Sequence, residues 1–249
     1  MGRALTEAVV REANVAEGMD VLDIACGTGE PAISIATLLR GTGRVVGADI
    51  SPDPLKVATQ RAAERGLGNI EFVPADVHKL PFPDASFDRI TCRLGIMFFA
   101  ELPCALAELH RILRPGGRVT LLAWGSMHQP YFETTIGTII RITGLEVPAS
   151  GLKMFKFGAP GTLASALQNA GFTDIEEKFT NLPWNWPGTP ENLWEYFQEV
   201  TVPFKPLFQA IPPDQHEGVH AKIIEQLRSR YDGREVKFEA SVLLASATR

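Results

Sequence analysis

The stretch Val21 to Ala36, VLDIACGTGEPAISIA, constrains the fold more tightly than any other in the chain. Val21, Leu22 and Ile24 make a short apolar run, the pattern of a strand buried on both faces of a parallel sheet. Gly27-Thr28-Gly29 breaks that run, because glycine permits tight turning and close backbone approach to a ligand. Pro31 suits the first turn of a helix, and Ala32, Ile33 and Ala36 continue at helical spacing. A strand, a glycine turn and a helix in that order can cradle a phosphate or carboxylate on backbone N–H groups left free to point at it.

Two cofactor classes use such a unit. Gly27-x-Gly29-x-x-Ala32 satisfies the dinucleotide fingerprint, with Asp49 lying 20 residues beyond Gly29. Asp23, inside the end of the strand, argues the other way: it would add negative charge beside a pyrophosphate, whereas it suits a ligand carrying an amine and a sulfonium. D-I-A-C-G-T-G resembles motif I, D/E-x-x-x-G-x-G, of the class I S-adenosylmethionine (SAM) dependent methyltransferases.

The remaining elements alternate as an open α/β sheet requires. Arg44 to Ile50 reads as a second strand ending in an acid, followed by a helix over 54–66 with Ser51 or Asp53 as its N-cap. An acid at the tip of strand two can accept hydrogen bonds from both ribose hydroxyls of an adenosine, which assigns that role to Asp49. Asn69 to Pro74 is the third strand. It leads into Ala75-Asp76-Val77, where the resemblance implies that the acid meets the adenine amine and the next N–H reads a ring nitrogen. An Asx-turn is the plain alternative for Asp76. Leu80 to Asp88, L-P-F-P-D-A-S-F-D, forms a rigid turn before a fourth strand and closely resembles the ubiquinone/menaquinone-methyltransferase-like (methyltransferase type 11) branch. Leu102, Ala105, Leu106, Leu109, Ile112 and Leu113 keep helical spacing over about 103–114. Arg114-Pro115-Gly116-Gly117 stops that helix ahead of a fifth strand, 118–124, and is also a recurrent feature of the family.

Five strands alternating with helices give a doubly wound, mainly parallel sheet with helices on both faces, and ligands in such sheets sit beyond the carboxyl ends of the strands. The resemblance implies seven strands in the order 3-2-1-4-5-7-6, with Phe172–Phe179 and a segment of Glu235–Ala247 supplying the last two. It also implies a longer N-terminal arm than precedes the glycine turn here. Residues 131–143 and 162–170 read as helices. Residues 180–232, with Trp184, Trp186, Trp194, Tyr196 and Phe197, read as an insertion capping the site, its second half helical through Val219, Ile223 and Leu227. The whole chain, 1–249, is expected to be a single domain. A charge of −5 argues against a nucleic-acid groove. No window is long and apolar enough to span a membrane, and three cysteines without metal spacing fit a reducing cytoplasm. The oligomeric state is open, the aromatic insertion serving equally as a dimer surface.

The resemblance implies the cofactor SAM, with S-adenosylhomocysteine (SAH) as product, held by Asp23, Ala25, Gly27, Thr28, Gly29, Asp49, Ile50, Asp76, Val77 and Arg93. Arg93 either pairs with the methionine carboxylate or makes a salt bridge within the protein. The reaction implied is in-line methyl transfer to a small-molecule acceptor, aromatic or lipid-like, without a metal. The alternative is a protein that binds SAM for another reaction. Met97, Phe98, Trp124, Tyr131, Trp184 and Trp186 are the expected substrate-lining residues, with packing as the competing role. Among Glu101, His128 and Tyr131, His128 is the best-placed general base, since a neutral imidazole can take a phenol or hydroxyl proton; a solvated loop histidine is the alternative. His78, His110, His216 and His220 are given no catalytic or metal role. Quinone C-methyltransferases carry an Arg-Asn pair after strand four, where this chain has Gly95-Ile96-Met97-Phe98; the departure points away from quinone biosynthesis.

Overall fold

Val21 to Ile24 are all buried, as the centre of a parallel sheet demands, and β1 (Asp20–Ile24) occupies that centre. The structure, a computed structural model, describes residues 1–249. The other strands are β2 (Arg44–Asp49), β3 (Ile70–Pro74), β4 (Phe87–Arg93), β5 (Leu113–Trp124), β6 (Thr173–Pro183) and β7 (Glu239–Thr248). They form a seven-stranded sheet in the order β3-β2-β1-β4-β5-β7-β6, the order expected. β1 pairs in parallel with β2 and β4, β2 with β3, and β4 with β5. The helices, numbered along the chain, are α1 (Arg3–Ala13), α2 (Ala32–Leu39), α3 (Pro52–Glu64), α4 (Leu102–Ile112), α5 (Pro130–Thr134) and α6 (Ile136–Thr143). After them come α7 (Ala149–Leu152), α8 (Thr162–Asn169), α9 (Pro190–Val200), α10 (Lys205–Gln209) and α11 (His216–Arg228).

By compactness the chain divides into two units. One comprises Leu5–Ala123, Ala159–Phe179 and Leu243–Arg249. Inside it the apolar stripe of α2 (Ala32, Ile35, Ala36, Leu39) packs with Val21 of β1 and Val45 of β2, and Val10, Met19, Leu67 and Phe72 close the cluster. The other unit comprises Met1–Ala4, Trp124–Gly158 and Thr180–Val242. Its interior is aromatic: Tyr131 meets Phe132, Trp184, Phe197 and Phe238 edge-to-face at centroid distances of 5.1–5.9 Å. Val219, Ile223 and Leu227 are buried on α11, on the face their spacing anticipated.

Three local expectations need correction. The single helix expected over 131–143 is two, α5 and α6. The chain breaks at Thr135 (φ −101°, ψ −82°), whose hydroxyl donates to the Tyr131 carbonyl at 2.9 Å and satisfies the interrupted turn. The R-P-G-G segment lies inside β5 rather than before it: Phe87 pairs with Leu113 but Arg89 with Arg118, so 114–117 loop out of register. Gly116 takes φ +76° there, a conformation that favours glycine. Finally, α3 starts at Pro52 with no side-chain cap from Ser51, while Asp53 bonds Lys56 at 2.7 Å.

The L-P-F-P-D-A-S-F-D turn is a clamp. Arg111 of α4 donates to the carbonyls of Leu80 and Phe82, to Asp84 Oδ1 and to Glu108, which in turn accepts the Leu80 N–H. Asp88 Oδ2 at its end accepts the Asp20 N–H at 2.8 Å and pairs with Arg114 at 2.5 Å, tying β1, β4 and β5 together at their entry ends. The motif therefore aligns strands at the edge remote from their carboxyl ends.

Candidate active site

The glycine turn is built by its neighbours. Asp23 is fully buried; its Oδ1 accepts the Thr91 hydroxyl at 2.8 Å and its Oδ2 accepts the Ala32 N–H at 3.2 Å. Both oxygens thus join β1, β4 and the start of α2, and burial pushes the Asp23 carboxyl up to about 7. Asp23 accordingly lies behind the turn rather than on a ligand-facing wall. Gly29 sits at φ +103°, and a Cβ there would come within 2.6 Å of Ile33 Cδ1. Two of the turn's amides are engaged internally: Gly27 N–H donates to Asp49 Oδ2 at 2.9 Å and Gly29 N–H to the Cys26 carbonyl at 2.9 Å. The picture of a turn with its glycine amides free is corrected by those bonds, which hold it rigid. Thr28 is exposed, and its carbonyl and hydroxyl accept from Arg61.

Beyond the carboxyl ends of β1 to β4 lies a cavity of about 220 Å³. Ala25, Asp49, Ile50, Asp76, Val77 and Phe98 line it, as the sequence led one to expect, and so do Ala75, His78, Gly95 and Phe99. Asp49 holds the turn through Oδ2 and the Ser51 N–H through Oδ1. Asp76 Oδ1 accepts both the backbone N–H of His78 at 3.0 Å and its ring at 2.6 Å; these bonds hold the Asp76 carboxyl below the usual carboxylate range. The Asx-turn and the cavity position coexist. Ile50 and Phe98 are 70% and 54% exposed, two large apolar side chains presented at the cavity wall.

The loop after β4 shows what sequence reasoning missed. Leu94 takes φ +59° and Ala25 φ +54°, so two non-glycine residues hold left-handed conformations at adjacent strand ends. A Cβ on Gly95 would lie 2.5 Å from Ala25 Cβ, so only glycine lets this loop approach the end of β1. The short 3₁₀ turn Ile96–Phe98 then points Met97 inward, 2% exposed, and Phe98 outward, which removes Met97 from the expected lining set. Arg93 bonds the Thr6 hydroxyl through Nη1 at 3.1 Å. Burial pushes the Cys26 and Cys92 thiols up, so neither is poised as a nucleophile.

Trp124 and Tyr131 were expected to line a substrate site; they are 5% and 4% exposed and pack with Phe132 and Trp184 inside the aromatic unit. Burial pushes the Tyr131 phenol up, which disqualifies it as a base near neutrality. Trp186 is half-buried and pairs with Tyr196 at 4.6 Å. His128 is largely exposed, its Nδ1 2.9 Å from Glu133 Oε1, and Glu133 also reaches Arg141 at 3.2 Å. A carboxylate orienting one ring nitrogen while the other stays available is the arrangement of a general base. Glu101 flanks α4, its N–H bonded to His78. His216 and His220 have no companions grouped as a metal site.

This arrangement agrees with comparisons to known proteins. Residues 3–140 match the model of the ubiE/COQ5 methyltransferase family. The demethylmenaquinone methyltransferase of Geobacillus kaustophilus is 33% identical over 183 residues, covering 69% of this chain and 78% of that protein. The nocamycin O-methyltransferase of Saccharothrix syringae is 29% identical over 230 residues, covering 87% and 80%. The crystal structure of the YcgJ protein of Bacillus subtilis shares the fold, with a TM-score of 0.62 at 20% identity over 98% of this chain and 97% of that one. With a glycine turn, two carboxylates at the tips of β2 and β3 and a cavity between them, the chain belongs to the ubiE/COQ5 methyltransferase family and is a SAM-dependent methyltransferase.

Proposed function

We propose that this enzyme methylates a hydroxyl of a small apolar acceptor, aromatic or lipid-like, without a metal. The observation that carries the reading is the cavity wall itself, which joins two carboxylates, Asp49 and Asp76, to the exposed side chains of Ile50 and Phe98. When bound, SAM supplies both the methyl group and its own leaving group, so the protein's task is alignment rather than bond activation. Asp49 accepts the ribose hydroxyls, Asp76 and the Val77 N–H meet the adenine, and the turn Gly27–Gly29 with Arg93 holds the amino-acid end. Asp23 positions the turn. Oxygen is favoured over ring carbon because an Arg-Asn pair is lacking after β4, and because a relative named for O-methylation matches well beyond residues 3–140. His128, oriented by Glu133, takes the acceptor proton. The whole chain acts as one methyltransferase domain, with 180–232 supplying acceptor recognition through Trp184 and Trp186. Three cysteines that form no disulfide support a place in the cytoplasm.

Calorimetric titration with SAH tests the cofactor assignment. Asp49→Ala is expected to weaken SAH at least tenfold, about 1.4 kcal/mol, and a panel of phenolic and prenylated acceptors should then yield SAH from SAM in the wild type. Unchanged SAH affinity in Asp49→Ala would remove the ribose assignment. Turnover confined to amine or carbon acceptors would remove the hydroxyl.

A further inference from the structure

His78 was given no role by its sequence, yet it is the most connected side chain on the cavity wall. Its Nε2 accepts the backbone N–H of Glu101 at 3.2 Å, so that nitrogen carries the lone pair. The proton then resides on Nδ1, which donates to Asp76 Oδ1 at 2.6 Å. Its own backbone N–H donates to the same oxygen at 3.0 Å, and its carbonyl accepts the Cys104 thiol at 3.5 Å. The ring lies edge-on to Phe99, centroids 6.5 Å apart. One imidazole thus bridges the loop after β3, which carries Asp76 and Val77, to the loop after β4, which carries Phe98 and Phe99.

The two donors that converge on Oδ1 fix the plane of the Asp76 carboxylate and leave Oδ2 for a third donor. A rigid carboxylate with one oxygen committed is a directional acceptor: it rewards an N–H placed at Oδ2 and penalises a group that cannot donate there. We propose that His78, as its Nδ1–H tautomer, is the positioning residue that makes Asp76 selective for a 6-aminopurine over a 6-oxopurine in the nucleoside half of the cofactor. The inference rests on the assignment of Asp76 to the adenine. A 6-oxopurine presents a carbonyl oxygen where adenine presents its amine, and would face Oδ2 with lone pair against lone pair.

The test compares the dissociation constants of SAH and its deaminated analogue, S-inosylhomocysteine, in one set of variants. Wild type is expected to prefer SAH by roughly tenfold or more, the loss of one charge-assisted hydrogen bond. Asp76→Asn should abolish that preference. His78→Asn places an amide donor where Nδ1 stands and should keep it, although the bond from Glu101 is gone. His78→Gln reaches the Nε2 position, can accept from Glu101, lacks the donor to Asp76, and should lose most of the preference. A merely structural imidazole would weaken both ligands together and leave their ratio unchanged. If His78→Gln keeps the wild-type ratio while Asp76→Asn loses it, His78 does not position Asp76. If Asp76→Asn keeps the ratio, the adenine assignment fails, and the proposal with it.

Discussion

Asp23 shows how far a residue's role depends on its surroundings. As text it is the acid of motif I; in the fold it is a fully buried carboxyl shared between a hydroxyl and an amide. Its pKa of about 7 lies above the ordinary carboxylate value of 3.8, so the folded state holds a proton that the unfolded chain releases. A raised folded pKa stabilises below the unfolded value and loses that contribution as pH rises toward the folded one. Stability is therefore expected to fall between about pH 4 and pH 7. Asp23→Asn, neutral throughout and able to accept from Ala32 while donating to Thr91, should flatten the profile. In urea unfolding, the difference between the variant and wild type should shift in the variant's favour by roughly 2–3 kcal/mol from pH 5 to pH 8; parallel curves would show that Asp23 ionises freely.

At the scale of elements, the branch-specific turn before β4 turns out to be architecture. Arg111 reaches two carbonyls and two carboxylates across 80–84 and α4, a set of bonds that loses its donor altogether on truncation. Arg111→Ala is expected to cost about 2 kcal/mol and to leave SAH affinity within twofold, since none of these groups lines the cavity. A large loss of affinity with unchanged melting temperature would contradict that division. The loop after β4 behaves oppositely. It has no conspicuous motif, yet Leu94, Gly95 and Phe98 shape the cavity, because a positive φ and the missing Cβ of Gly95 let it touch Ala25.

For the molecule as a whole, cofactor and acceptor functions are expected to separate by unit. Asp49, Asp76 and His78 belong to the unit containing β1–β4; His128 and Glu133 belong to the aromatic one. His128→Ala should lower kcat roughly a hundredfold with SAH affinity unchanged. A variant with wild-type kcat would make the His128–Glu133 pair a surface contact. The sequence by itself determined most strand and helix positions, because periods of two and 3.6 residues and Gly or Pro boundaries are local properties; the strand order followed from the resemblance of its motifs to a known family. It also located Ala25, Asp49, Ile50, Asp76 and Val77 at the cavity, since each lies at or just beyond the carboxyl end of a parallel strand. Only the tertiary structure decided which side chains reach the cavity and which are buried away from it. Met97, Trp124 and Tyr131 are inside because their neighbours bury them, and His78 matters because Glu101, distant in sequence, arrives to fix its tautomer. Burial and hydrogen-bond partnership between distant residues are properties of the packed chain, and no periodicity encodes them.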